Sequence, residues 1–105
     1  MDISAAELNS RLFLESDSLT IIDVRERLEF TTYNFGGSNI PLGTLVKEVN
    51  DLDYDKDEEI IMVCRHGLRS ETARRVLCQH GYTNVRNLTG GLVAIQKLTS
   101  QTSTR

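Results

Sequence analysis

Ile60-Ile61-Met62-Val63 is a run of four apolar residues with no polar position on either alternating face. A half-exposed strand alternates apolar and polar residues, whereas a short unbroken run suits a strand buried on both sides. Leu19-Thr20-Ile21-Ile22-Asp23-Val24 has the same apolar, β-branched character, and Val85-Arg86-Asn87-Leu88 reads as a short third strand. Strands covered on both faces need helical layers, and the segments between them supply helical spacing. Ser4-Ala5-Ala6-Glu7 has the form of a capping box, in which the Ser4 hydroxyl accepts from Glu7 and Glu7 reaches back. It opens a helix over residues 5–14 with Ala5, Leu8 and Leu12, and Phe13 beside them, on one face. Glu26–Thr32 reads as a short helix, and Gly36-Gly37 as a turn. Gly43–Asn50 spaces Leu45, Val46 and Val49 helically. Ser70–His80 is a helix with Ala73, Val76 and Leu77 inward and Gly81 as its stop. Gly90-Gly91 starts a last helix through Leu98. The alternation predicts an α/β fold, a central parallel sheet with helices on both faces. The 105 residues fit one domain over 1–105, with a core of about 3–98 and a frayed polar tail over 99–105.

The net charge of −3 argues against general nucleic-acid binding. Its distribution is more informative. Residues 1–59 hold 14 acidic and 5 basic side chains, a balance of −9, and residues 60–105 hold 1 acidic and 7 basic, a balance of +6. Arg65, Arg69, Arg74 and Arg75 make up most of that excess, as one solvated helix face or as an anion site near residue 65. Asp51–Glu59 reads as an exposed acidic connection. Met1–Ser10 has no apolar core of a signal peptide, and no apolar run approaches the ~18 residues of a membrane helix. The expectation is a cytoplasmic protein, away from the membrane, with both cysteines reduced and free.

The chemistry concentrates at Cys64-Arg65-His66-Gly67-Leu68-Arg69-Ser70, between the strongest strand and a helix. In parallel sheets, ligands bind at the carboxyl ends of the strands. A thiolate is the reactive form of cysteine, and cations and helix N-termini favour it. Arg65 and Arg69 supply charge, the helix supplies free N–H groups, and Gly67 lets successive amides curl around one centre. Such a cradle suits a thiolate and equally a persulfide anion one sulfur further out. The alternative is a cysteine that merely packs at the end of a core strand.

Cys64, His66, Cys78 and His80 form two C-x-H pairs, but residues two apart on a helix do not face each other, so zinc is disfavoured and no metal is expected. Cys78 reads as a surface thiol. His80 reads as a helix C-terminal residue complementing the dipole. His66 reads as an acid or substrate contact, or as a plain loop residue.

From about Ser4 to Leu98 the chain resembles the rhodanese domain. Asp23-Val24-Arg25-Glu26 with Glu29-Phe30 is similar to the family's D-x-R-x-x-x-E-[FY] element, and Ile40-Pro41-Leu42 to its N-I-P element. Cys64–Ser70 is similar to the active-site loop, and Gly81-Tyr82 and Asn87-Leu88-Thr89-Gly90-Gly91 to the G-[FY] and L-x-G-G elements. The resemblance implies a sulfurtransferase (single-domain) that needs no cofactor. Cys64 would be the catalytic sulfur carrier, and Arg65, His66, Gly67, Leu68, Arg69 and Ser70 the substrate-binding cradle. Asp23 and Arg25 would be structural, and an Arg25–Glu29 pair at i,i+4 fits that role. Two places differ from the family. Asn34–Asn39 lacks the usual histidine, and Ile95 stands where a tryptophan is common; both read as packing.

A sulfur donor such as thiosulfate and a thiol, cyanide or protein acceptor follow from that resemblance. A phosphatase needs a C-x5-R loop, and here Arg69 gives C-x4-R. A non-catalytic interaction module of the same fold commonly loses the loop cysteine, which this chain keeps. Gly36–Leu45 resembles the G-G-x-x-I-P-L-G-x-L segment of rhodanese domains fused to enzymes that adenylate sulfur-carrier proteins. That implies a carrier protein as acceptor, reached in part through the basic surface from Arg65 to Arg75. The same stretch also reads as a turn and helix start common to rhodanese domains.

Overall fold

In the computed structural model, residues 1–15 and 18–103 are described, and every strand in them lies parallel to its neighbours. The five strands are β1 (Asp2–Ile3), β2 (Ile21–Asp23), β3 (Ser38–Asn39), β4 (Ile60–Val63) and β5 (Val85–Leu88), in the order β1-β5-β4-β2-β3. The unbroken apolar run is therefore the central strand, and all four of its residues are buried.

Successive side chains of a strand point to opposite faces, so the strands split the core in two. Ile22, Ile60, Met62 and Val85 face Leu45, Ala73 and Leu77 of α3 (Leu42–Glu48) and α4 (Leu68–Gln79). Ile21, Ile61, Val63 and Leu88 face Leu8 and Ile95 of α1 (Ala5–Glu15) and α5 (Gly91–Ser103). A short helix, α2 (Arg27–Thr32), follows β2, and a 3-10 turn over Val49–Asp51 follows α3. Helices on both faces of a parallel sheet are the architecture the apolar runs predict. Ile95 lies in the core, as its reading as packing requires.

Several local expectations differ. β1 and β3 have two residues each, too few to carry any periodicity. Ser4 Oγ accepts the Glu7 N–H at 3.0 Å, but the Glu7 carboxylate turns to Arg86 at 3.0 Å, an ion pair competing with the cap. Phe13 is 90% exposed, because the inward stripe of α1 runs through Leu8 and Leu12. The end of the acidic connection is not free in solvent. Glu59 takes the Arg11 guanidinium at 2.6 and 2.8 Å, and Glu58 accepts the Thr20 hydroxyl. α5 runs to Ser103, past the predicted start of the tail at Thr99. The last two residues of that tail lie outside the described residues. No described helix is long and apolar enough to cross a membrane.

Candidate active site

Cys64 sits where β4 ends, and its backbone is gripped from α5. The Leu92 and Val93 N–H groups donate to the carbonyls of Cys64 and Arg65 at 2.9 and 3.1 Å. That approach depends on Gly91, where a Cβ would lie 2.3 Å from the Arg65 carbonyl oxygen. The chain then turns at Gly67, whose φ of 97° is left-handed, a conformation glycine adopts without the Cβ clash. α4 starts at Leu68, two residues before the predicted start at Ser70, because this turn already aligns the backbone. Leu68, Arg69 and Ser70 therefore belong to the first turn of the helix.

The consequence is a set of donors converging on sulfur. The Gly67 N–H lies 3.1 Å and the Ser70 N–H 3.3 Å from Cys64 Sγ. Ser70 Oγ lies 3.2 Å away, in a contact where either atom can donate. Cys64 is 1% exposed, so these contacts are shielded from water, where donors at a helix N-terminus favour an anion most. A merely space-filling cysteine needs no such donors.

The arginines behave otherwise than their spacing predicts. The Arg69 guanidinium makes a bidentate pair with Glu29, at 2.8 and 3.0 Å, and donates no hydrogen bond to Sγ. This pairing holds the Glu29 carboxyl down to about 2, with the Glu26 N–H adding to the effect, and raises Arg69 above its ordinary value. Arg74 and Arg75 both pair with Glu71. Among the described residues, Arg65 is the one of the four outside an ion pair. Its Nε lies 3.3 Å from His66 Nε2 on the exposed side of the loop.

The predicted Arg25–Glu29 side-chain pair is absent, because a nearer carboxylate wins. Asp23, fully buried, takes Arg25 Nε at 3.0 Å and Nη2 at 2.8 Å. Arg25 also donates to the carbonyl oxygens of Glu29 and Tyr33, which ties α2 to the end of β2. Its structural role follows from this, and Glu29 is released to hold Arg69.

Two features escape the sequence reading. Asn87 of β5 is buried and hydrogen-bonds both Ser70 Oγ and the Gly67 carbonyl; its one signal is a polar residue inside an apolar strand. A cleft of about 500 Å³ opens beside the loop between Leu28, Glu29, Tyr33, Arg65 and Leu92. Leu28, which lines the cleft, is 78% exposed, and Leu68 on the loop is 80% exposed. Cys78 is exposed, with Arg74 Nη1 at 3.6 Å from its sulfur. His80 caps α4 with Nδ1 2.8 Å from the Val76 carbonyl oxygen. Among the described residues no three His, Cys, Asp or Glu side chains gather where they could hold a metal ion.

A family model described as the rhodanese-like domain matches residues 4–98. The thiosulfate sulfurtransferase GlpE of Shewanella oneidensis is 31% identical over 81 residues, covering 76% of this chain and 78% of that protein. A tRNA uridine(34) hydroxylase of Erwinia tasmaniensis is 32% identical over 96 residues, 87% of this chain but 27% of that protein. The chain spans well under half the length of the first curated relatives it matches. The crystal structure of a rhodanese-like domain protein from Staphylococcus aureus superposes with a TM-score of 0.77 at 32% identity, covering 90% of this chain and 91% of that one.

Proposed function

The chain belongs to the rhodanese-like domain family, and from that premise we propose that it is a sulfurtransferase carrying sulfane sulfur on Cys64. The observation that carries this reading is the convergence of two backbone N–H groups on a buried sulfur at the end of β4. These groups stabilise the thiolate that must act as nucleophile. The thiolate attacks the outer sulfur of thiosulfate, or of a donor like it. A bond forms from Sγ to that sulfur, the donor S–S bond breaks, and sulfite leaves with the electron pair. An acceptor thiolate or cyanide then attacks the outer sulfur of the persulfide, the Sγ–S bond breaks, and the Cys64 thiolate returns. Arg65, outside any ion pair among the described residues, draws the anionic donor to the cleft. His66 and Leu68 are exposed on the same loop, and Gly67, Arg69 and Ser70 shape it. The chemistry calls on no metal or organic cofactor, and the reduced thiol it needs fits a cytoplasmic setting.

The test is thiocyanate formation from thiosulfate and cyanide, run beside hydrolysis of an aryl phosphate. The reading expects the first and not the second. Cys64-dependent phosphate release without thiocyanate would replace it with a phosphatase, although Arg69 is tied to Glu29 and so turned from the role a phosphate loop would give it.

The acceptor is proposed to be the C-terminal tail of a sulfur-carrier protein, activated by adenylation. The outer persulfide sulfur attacks the tail carbonyl and AMP leaves. A second thiol supplied in solution then attacks Cys64 Sγ, breaks the Sγ–S bond by forming a disulfide, and releases the tail as a thiocarboxylate. Support comes from the Gly36–Leu45 segment and from the exposed apolar side chains of Leu28 at the cleft and Leu68 on the loop, which a small thiol or cyanide leaves uncovered. Persulfidated protein should pass sulfur to an adenylated carrier faster than to cyanide or small thiols. The reverse order would favour a general detoxifying or relay role.

A further inference from the structure

Ser70 has one hydroxyl proton and two claimants for it. Asn87 Nδ2 donates to the Gly67 carbonyl oxygen at 3.1 Å, which turns Asn87 Oδ1 toward Ser70 Oγ. An amide oxygen only accepts, so in this arrangement the Ser70 proton belongs to Asn87. The contact of 3.2 Å between Ser70 Oγ and Cys64 Sγ is then made by the Cys64 thiol proton, donated to Ser70. When Cys64 loses that proton, the sulfur becomes an acceptor and draws the Ser70 hydroxyl. If the hydroxyl turns to the thiolate, Asn87 Oδ1 is left buried without a donor, an unfavourable state. All three residues are shielded, with Ser70 at 0% and Asn87 at 7% exposure, so water is a poor substitute for either bond.

We infer that Asn87 is a positioning residue that acts through Ser70, restraining ionisation of Cys64 by holding the hydroxyl proton the thiolate would use. Asn87 also fixes Gly67, whose N–H is the second donor to sulfur, but that contact has the opposite sign, since loosening Gly67 would disfavour the thiolate. Other charged groups near Cys64 are already engaged. Arg69 of α4, which interacts with Cys64 through its charge, is held by Glu29 of α2, and Asp23 at the end of β2 is held by Arg25. Arg65 and His66 lie on the exposed side of the loop, and the first turn of α5 carries no acidic residue.

The inference takes Cys64 as the nucleophile proposed above, but its test reads the free thiol and needs no sulfur transfer. Iodoacetamide alkylation of Cys64 is followed against pH in full-length protein carrying Cys78→Ser. Asn87→Val removes the amide and suits a strand position. It should lower the midpoint of the profile by about one pH unit, the size expected for releasing one buried acceptor. In a Ser70→Ala background the same substitution should leave the midpoint unmoved. Asn87→Ala carries the same expectation should Asn87→Val fail to fold. An unchanged or raised midpoint, or an equal shift without Ser70, would overturn the inference. Normal alkylation behaviour with no thiocyanate formation would instead remove the sulfurtransferase reading and leave the Asn87 relay standing.

Discussion

Arg69 and Glu29, forty positions apart, clasp each other through two hydrogen bonds of 2.8 and 3.0 Å and so fasten the first turn of α4 to α2. The pair forms one wall of the site. It also takes up a charge that its position in the loop alone would assign to the sulfur.

The depressed Glu29 carboxyl gives this clasp a pH signature. A carboxyl held at about 2, from an ordinary 4.5, contributes stability fully above about pH 4.5 and loses it as pH falls toward 2. Both side chains are more than a third exposed, so solvent screening limits the contribution to about 0.5–1 kcal/mol. Glu29→Gln should be less stable than wild type by that amount at pH 7. In urea titrations the gap should hold to about pH 4.5 and close below it. A gap independent of pH would mean the effect comes from packing.

Asp23 and Arg25 make a very different pair, with side chains 0% and 7% exposed. Removing one partner strands the other charge in the interior, which costs about 3–5 kcal/mol. Asp23→Asn should therefore lower stability by about 3 kcal/mol or more, measured by urea unfolding. A loss below about 1 kcal/mol would show that Arg25 finds solvent or another partner.

Arg65 should matter more than Arg69 for capturing an anionic donor, because Glu29 neutralises Arg69 while Arg65 forms no ion pair among the described residues. Arg65→Ala should raise KM for thiosulfate by about tenfold with little change in kcat, and the difference should shrink at high salt. Steady-state kinetics at two ionic strengths checks this. Equal effects of Arg65→Ala and Arg69→Ala would contradict it.

The centre of the fold was legible because an unbroken apolar run has few places to go. Ile60–Val63 marks the middle strand, and the glycine and helix after Cys64 mark a loop at its end. What was hidden depends on tertiary geometry. The two-residue strands β1 and β3 exist because neighbouring backbone edges need partners, and no side-chain pattern announces them. The spacing of Arg25 and Glu29 suggested a pair, but the buried carboxylate of Asp23 competes better, and Glu29 is then free for an arginine forty residues away. The contact of Asn87 with Ser70 joins β5 to α4, a relation that follows from sheet order rather than local sequence.

The central claim is that Cys64 carries the sulfur, and mass spectrometry after thiosulfate treatment tests it most directly. Wild type should gain about 32 Da, roughly one sulfur atom on a reactive thiol, and peptide mapping should place it on Cys64. Cys64→Ser should gain nothing, while Cys78→Ser should load nearly as well as wild type. An adduct that maps to the exposed Cys78, or that survives Cys64→Ser, would contradict the account.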